Sequence, residues 1–291
     1  MKIWVCIFAL LVLLGCKRDD AGQTANQDNS REPAEVAGNP ERPDTPAPAE
    51  TPESPAAEPV PTADPAKEFD QPWTDPARPI VIDPYRDNAI DWDQLQTDPR
   101  MVAIIHKATQ GTRADSKYNE RRQKARELGY LWGSYHLGMP GDPIQQADFY
   151  LSTIGDFSGE VLALDLESLD ETKFMSLNDA VKFIDHIRKK TGRYPLLYCN
   201  HQVLVAISEQ FGKASIFAKC PLWYARFKKQ VSDFPKGTWE TYTIWQFSCE
   251  LNCEKTGECW YNVPGTEFDM DINVYNGSIA ELKAKWADIG S

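Results

Sequence analysis

The sequence predicts an α/β protein: an irregular (β/α)8-like barrel preceded by a disordered, Pro-rich tether. Three observations carry this. Eight short apolar, β-rich runs recur after Pro79, with helical patterns between the early ones, as a strand–helix barrel requires. That alternation fails between Arg226 and Thr241 and again between Cys249 and Gly265, so the late helices are expected to be short or missing. The residues before Pro79 show almost no apolar periodicity beyond one N-terminal run.

That run lies in residues 1–15 and has the form of a secretory signal. Lys2 precedes the apolar stretch Ile3–Leu14, which is too short to span a bilayer comfortably. Leu13-Leu14-Gly15-Cys16 resembles the bacterial lipobox, which implies cleavage before Cys16 and lipid attachment to its thiol and new amino group. An ordinary signal peptide or an uncleaved anchor is the plainer alternative. Lys17-Arg18 follows, where Asp would favour the inner membrane. By resemblance to Gram-negative lipoproteins, this implies a lipid anchor in the outer membrane, facing the periplasm.

Residues 16–78 are rich in Pro, Ala, Glu, Asp and Thr. Such a segment cannot bury enough surface to offset its ordering entropy. It carries six basic against fourteen acidic residues, most of the chain's net charge of −12. Self-repulsion and proline extend it, and as a coil it reaches roughly 45 Å. The acidic balance offers no basic footprint for nucleic acid.

Residues 79–291 suffice for one domain with a large core. The strand candidates are Ile80–Asp83, Val102–Lys107, Leu131–His136, Val161–Glu167, Pro195–Cys199, Leu222–Ala225, Thr243–Phe247 and Met270–Val274. Helices are expected at Tyr118–Leu128, Pro143–Ile154, Ser176–Lys190 and His201–Phe211. The third has Ser176 as N-cap, an apolar stripe through Leu177, Ala180, Val181, Ile184 and Ile187, and Gly192 as its stop.

Val161–Glu167 ends in two carboxylates. Strand residues i and i+2 face one side, so Asp165 and Glu167 point together with Cα atoms roughly 6–7 Å apart. Paired carboxylates are what glycoside hydrolysis requires. Barrel sites lie at the C-terminal ends of strands, where Asp83 ends the first run, and Asp271 lies in the last. Acids from three strands would thus meet on one face.

Of the five cysteines in this region, Cys249, Cys253 and Cys259 cluster in a loop-like stretch. A loop-stapling disulfide fits better than zinc, since no His lies nearby and three ligands do not close a structural site. The pairing is not readable from spacing. Cys199, in an apolar strand, reads as a buried thiol, and an odd count leaves at least one cysteine free.

Several blocks together resemble glycoside hydrolase family 25 lysozymes. They are Ile82-Asp83 with Ile90-Asp91-Trp92, Lys107-Ala108-Thr109-Gln110-Gly111, Gly133-Ser134-Tyr135-His136-Leu137 and Gln146-Ala147-Asp148-Phe149-Tyr150-Leu151. Asp165-Leu166-Glu167, Leu222-Trp223-Tyr224-Ala225, Trp245-Gln246-Phe247 and Asp271-Ile272-Asn273-Val274-Tyr275-Asn276-Gly277 complete them, in family order. The resemblance implies a flattened barrel that cleaves the β-1,4 bond between N-acetylmuramic acid and N-acetylglucosamine in peptidoglycan, without cofactor or metal. It implies Glu167 as general acid and Asp165 as its partner at the 2-acetamido group or the oxocarbenium-like centre. Asp83 and Asp271 are then the remaining cleft acids. It implies retention, with help from the substrate's acetamido group. Pro84, His106, Gln110 and the cysteine loop depart from the family pattern and bear on substrate preference.

Tyr135, Trp223, Tyr224 and Trp245 are candidates to stack on sugar faces, with barrel core as the alternative for each. His136 reads as a core or rim histidine. The expected partners are peptidoglycan glycan strands and, through the lipid, a membrane; the protein is expected to be a monomer. A wall-binding tether without catalysis and a glycosidase of another amino-sugar polymer are the competing readings.

Overall fold

The computed structural model describes residues 71–253 and 259–291. The signal segment, Cys16 and the tether through Asp70 lie outside the described residues. The described elements run β1 (Ile80–Ile82), α1 (Trp92–Leu95), β2 (Met101–Gln110), β3 (Arg113–Ala114), α2 (Tyr118–Glu127), β4 (Leu131–Leu137), α3 (Pro143–Ile154) and β5 (Val161–Leu166). They continue with α4 (Leu177–Thr191), β6 (Leu196–Asn200), α5 (His201–Gln210), β7 (Leu222–Ala225), β8 (Ile244–Ser248), α6 (Glu250–Cys253), β9 (Ile272–Tyr275) and α7 (Ile279–Lys285).

The strands are ordered β1-β9-β8-β7-β6-β5-β4-β2, and β1 pairs back onto β2, closing an eight-stranded barrel. The two-residue β3 pairs only with β2. The eight runs read from the sequence are the eight staves. One departs from the uniform direction: β9 is antiparallel to both β1 and β8. A parallel neighbour requires a crossover back to the far end of the barrel, usually by a helix. The β8–β9 connection has only the four-residue α6 among its described residues, so the chain re-enters the ring from the end it has just left.

Strand alternation gives the barrel two faces. Inside, Val81, Ala103, Ile105, Val161, Ala163 and Ile244 form an apolar floor. Gly133 fits there closely: a Cβ would come within 3.1 Å of the Val161 Cβ and 3.2 Å of its carbonyl oxygen, so β5 would have to give by a few tenths of an ångström. Leu282 of α7 and Trp286 plug the N-terminal end, where the Trp286 indole donates to the Trp132 carbonyl at 2.8 Å. Outside, Ile104, Leu164 and Leu197 meet the buried faces of the helices. α4 follows the expected pattern: Ser176 accepts from the Asp179 N–H, and Gly192 stops the helix at φ +77°. Phe183 joins its buried stripe, while Val181 is half-buried.

The domain begins earlier than residue 79. Trp73 stacks on Phe247 with ring centroids 4.7 Å apart, and its carbonyl accepts from Arg100. Residues 71–78 were expected to close the tether, yet the Trp73 ring, its carbonyl and the Gln71 N–H, which donates to the Lys229 carbonyl at 2.8 Å, hold this stretch against the barrel wall.

Candidate active site

All four sequence-predicted acids meet at one end of the barrel. Asp83 follows β1, Asp165 lies in β5, Glu167 is one residue past β5, and Asp271 immediately precedes β9. The reversal of β9 is what brings Asp271 there: the start of an antiparallel strand lies level with the ends of the parallel ones. The Asp83 N–H donates to the Asp271 carbonyl at 3.3 Å, joining the two backbones. Asn200 fixes the end of β5, donating to the Glu167 carbonyl at 2.7 Å while its Oδ1 caps α5 through the Val203 N–H.

Burial raises the proton affinity of every member of this group. Asp83 is pushed up to about 7 by desolvation, against the pull of hydrogen bonds from Asn273 and Gln246 and with a further push from Glu167. Asp165 is held well above the usual carboxylate range by desolvation and then by Glu167, with Lys107 opposing. Glu167 is raised by desolvation and lowered by Lys107. Asp271 is raised by desolvation and by Asp83 and Glu167, while the Cys249 thiol supports its charge. Like charges this close cannot all form, so the acids titrate as one coupled set. Asp165 Oδ1 and Asp271 Oδ1 are buried without a hydrogen-bond partner among the described residues. Buried acceptors are normally satisfied, so two unsatisfied carboxyl oxygens in one cluster mark it as a strained, functional group rather than a structural one.

Lys107 is the basic partner that sequence reading missed. It is 5% exposed on the inner face of β2, with its ammonium 4.5 Å from the Tyr85 ring centroid. Desolvation lowers its pKa, and Asp115, Asp165 and Glu167 raise it. The Lys107 N–H donates to the Pro84 carbonyl at 3.0 Å, which folds the loop after Asp83 over it. A lysine 58 residues upstream of Asp165 gives no local signal. Its place in the β2 alternation is the only one.

A second missed group holds Asp83. Gln246 Nε2 donates to Asp83 Oδ2 at 2.9 Å, and Asn273 Nδ2 to Asp83 Oδ1 at 2.5 Å. Tyr198 hydroxyl donates to Gln246 Oε1 at 2.8 Å, and Trp223 indole to Asn273 Oδ1 at 2.6 Å. Gln246 and Asn273 stood in the quoted sequence blocks, but nothing local distinguished them from the apolar residues beside them.

The four aromatic candidates separate by strand parity. Tyr135 and Trp223 face the interior and meet edge to face at 6.2 Å, with Tyr135 among the groups that feel the acids. Trp223 is 1% exposed, so it supports the site rather than offering a ring face to a sugar. Tyr224 and Trp245 face outward, which corrects their expected place in the cleft. Tyr224 packs among Phe234 and Tyr242, with its hydroxyl 2.7 Å from His201 Nδ1. Trp245 is wholly buried and donates to the Arg226 carbonyl at 2.6 Å. Adjacent strand residues face opposite sides, so Trp223 and Tyr224 could not both line one cleft.

His136 is buried in the outer layer between Thr109 and Gln146, and burial lowers it to about 4. His106 is likewise buried and lowered to about 3. Both are neutral core residues. Cys253 and Cys259 form the loop-stapling disulfide; Cys199, Cys220 and Cys249 are buried thiols.

A barrel that gathers carboxyls from three strands at one end, with their proton affinities raised, has the form of a carbohydrate-cleaving hydrolase. The family model for glycosyl hydrolases family 25 matches residues 82–255, and the chain belongs to that family. It is a glycoside hydrolase. The matched span contains Asp83, Asp165 and Glu167; Asp271 lies beyond it.

Uncharacterized protein YegX of Escherichia coli (strain K12) is 28% identical over 203 residues, covering 67% of this chain and 68% of that protein. Lysozyme M1 of Streptomyces globisporus is 27% identical over 213 residues, 67% of each chain. The N,O-diacetylmuramidase of Chalaropsis sp is 31% identical over 200 residues, covering 62% of this chain and 85% of that one. Among solved structures, the bacterial lysozyme from Streptomyces coelicolor has a TM-score of 0.60 at 24% identity, covering 74% of this chain and 100% of that chain. The muramidase from Trichobolus zukalii has a TM-score of 0.57 at 23% identity, covering 72% and 99%. These two structures share the fold.

Proposed function

We propose that this chain is a peptidoglycan muramidase, hydrolysing the β-1,4 bond between N-acetylmuramic acid and N-acetylglucosamine by carboxylate acid catalysis. The observation that carries the reading is the convergence of four buried carboxyls from three strands at one end of a family 25 barrel. Glu167, with its proton affinity raised by burial, protonates the leaving glycosidic oxygen. Asp165 meets the 2-acetamido group: its carboxyl accepts from the acetamido N–H and, on losing its proton, stabilises the oxocarbenium-like centre. Asp83 and Asp271 complete the coupled set, and Lys107 opposes the retention of protons by Asp165 and Glu167.

Purified protein is expected to release muropeptides with reducing muramic acid ends from purified sacculi, read by mass spectrometry. Silence on both acetylated and deacetylated sacculi would rule the activity out. Binding without turnover, unchanged in Glu167→Gln, would mark a wall-binding tether. Reducing glucosamine ends, or products from chitin alone, would mark another amino-sugar glycosidase.

The site of action proposed here is the cell envelope. Lipid on Cys16 anchors the chain in the outer membrane facing the periplasm, and the acidic tether sets its reach. The motivation is Leu13-Leu14-Gly15-Cys16 followed by Lys17-Arg18. Acyl chains give stable anchoring when more than one is attached. Radiolabelled palmitate should enter the wild type and not Cys16→Ser, and the variant should leave the membrane fraction. An unlabelled wild type would sink the anchor.

A further inference from the structure

Asp83 is held by two amide arms that differ in one chemical respect. In the first, the donor behind the amide is an indole. An indole N–H can only donate. Trp223 Nε1 lies 2.6 Å from Asn273 Oδ1, so that oxygen must face the tryptophan. Asn273 Nδ2 then faces Asp83 Oδ1 at 2.5 Å and the Val81 carbonyl at 3.1 Å, and it can only donate to both. No amide flip is open to this arm, because an N–H would then meet an N–H. Its orientation follows from chemistry rather than from the assignment of nearly equivalent amide atoms.

In the second arm the group behind the amide is a hydroxyl, which donates or accepts. Tyr198 lies 2.8 Å from Gln246 Oε1, and Gln246 Nε2 lies 2.9 Å from Asp83 Oδ2. Turning this amide over reverses the arm: Nε2–H donates to the tyrosine oxygen, whose own proton swings away from the amide, and Oε1 accepts a proton carried by Asp83 Oδ2. The two rings behind the arms are held in place. Tyr198 and Trp223 are register partners on β6 and β7, their rings meet edge to face at 5.0 Å, and they are 9% and 1% exposed.

We propose that Trp223 and Tyr198 are positioning residues for Asp83: Trp223, through Asn273, keeps a proton off Oδ1 and favours the carboxylate, whereas Tyr198, through Gln246, follows the protonation state of Oδ2 by turning the amide over. This deepens the muramidase reading and rests on it for its kinetic arm alone. The titratable groups facing Asp83 are Asp165 from β5, Glu167 just past it, Asp271 just before β9, Tyr135 from β4 and Tyr198 itself. Lys107 of β2 faces Asp165 and Glu167 rather than Asp83. Burial pushes Asp83 up to about 7, so the two states interchange near neutral pH.

The test is a pH titration of the full chain by NMR, following the Asp83 carboxyl carbon, the Gln246 side-chain amide and the Trp223 indole N–H. In the wild type, the Gln246 amide should shift with the Asp83 midpoint and the indole should hold its position. Trp223→Phe should raise the Asp83 midpoint by about one pH unit, a tenfold gain in proton affinity, and Tyr198→Phe by less than half of that. On sacculi, Trp223→Phe should lose about tenfold in kcat below neutral pH with KM within about twofold, and recover toward pH 8. Equal shifts in the two variants, or a Gln246 amide that ignores the midpoint, would overturn the proposal. If Trp223→Phe does not fold, the wild-type titration decides alone. If the wild type releases no muropeptides, the muramidase reading fails, and the NMR titration still judges the two arms.

Discussion

Glu167→Gln should lower kcat on sacculi by about 10³-fold while leaving fold and binding intact, within the range that a positioned general acid contributes. The substitution keeps shape and removes only the transferable proton. Glu167 sits one residue past β5, where Asn200 holds its carbonyl at 2.7 Å, so the backbone does not depend on the carboxyl. Desolvation raises its proton affinity, which keeps the acid loaded at a pH where an exposed glutamate is ionised. Because the group must be protonated to act, the alkaline limb of the pH–rate profile should belong to it and disappear from the residual rate of the variant. Muropeptide yield at matched sacculus binding checks both points. Retention of more than about a tenth of wild-type kcat would remove Glu167 from the role of acid.

Asp165→Asn should lower kcat by about 10²-fold and, at the same time, stabilise the folded protein at alkaline pH. The kinetic loss follows from removing a carboxyl that can give up its proton and meet the developing cation as an anion. The gain in stability follows from the direction of its pKa. Asp165 is held well above its ordinary value by burial and by Glu167, so the folded state binds a proton that the unfolded chain has released. Stability contributed in this way is complete below the unfolded carboxylate pKa and is lost as pH rises toward the folded one. The asparagine carries no such penalty. Its advantage should be absent near pH 4 and reach about 1–2 kcal/mol at pH 8, the usual size of a single stabilising change at a functional site. Urea unfolding at the two pH values measures it. A variant less stable than the wild type at pH 8 would show that Asp165 is a structural ion.

Much of the barrel was legible because its staves are short apolar runs and its early helices carry caps. Ser176 and Gly192 bound α4 as read, and Pro143–Ile154 is the observed α3. The direction of β9 was not legible. Strand direction leaves no mark on a run such as Ile272–Tyr275 and is set by whether the preceding connection crosses back. The acids themselves were legible, since carboxyls at the ends of buried strands stand out against their surroundings. Their supports were not. Lys107, Gln246 and Asn273 act on Asp83, Asp165 or Glu167 from other strands, and only the register of the closed ring brings them together. Tyr224 and Trp245 were misplaced for the opposite reason: aromatic character was read without parity. Trp73 was missed because the composition around it masks one anchoring ring.

The β8–β9 connection begins and ends at the mouth of the barrel, since β9 returns through the end that β8 reaches. It holds the Cys253–Cys259 bridge and the Trp260–Phe268 ring pair, with centroids 5.3 Å apart. Other staves are joined by segments that must travel the full height of the molecule, and their length is bound to that journey. This one has no such errand. Between its buried anchors, Val263 and Met270, and the Asp271 it delivers to the site, changes in this connection fall on the rim of the cleft, so selection can refit the enzyme to a differently decorated wall while the staves stay as they are.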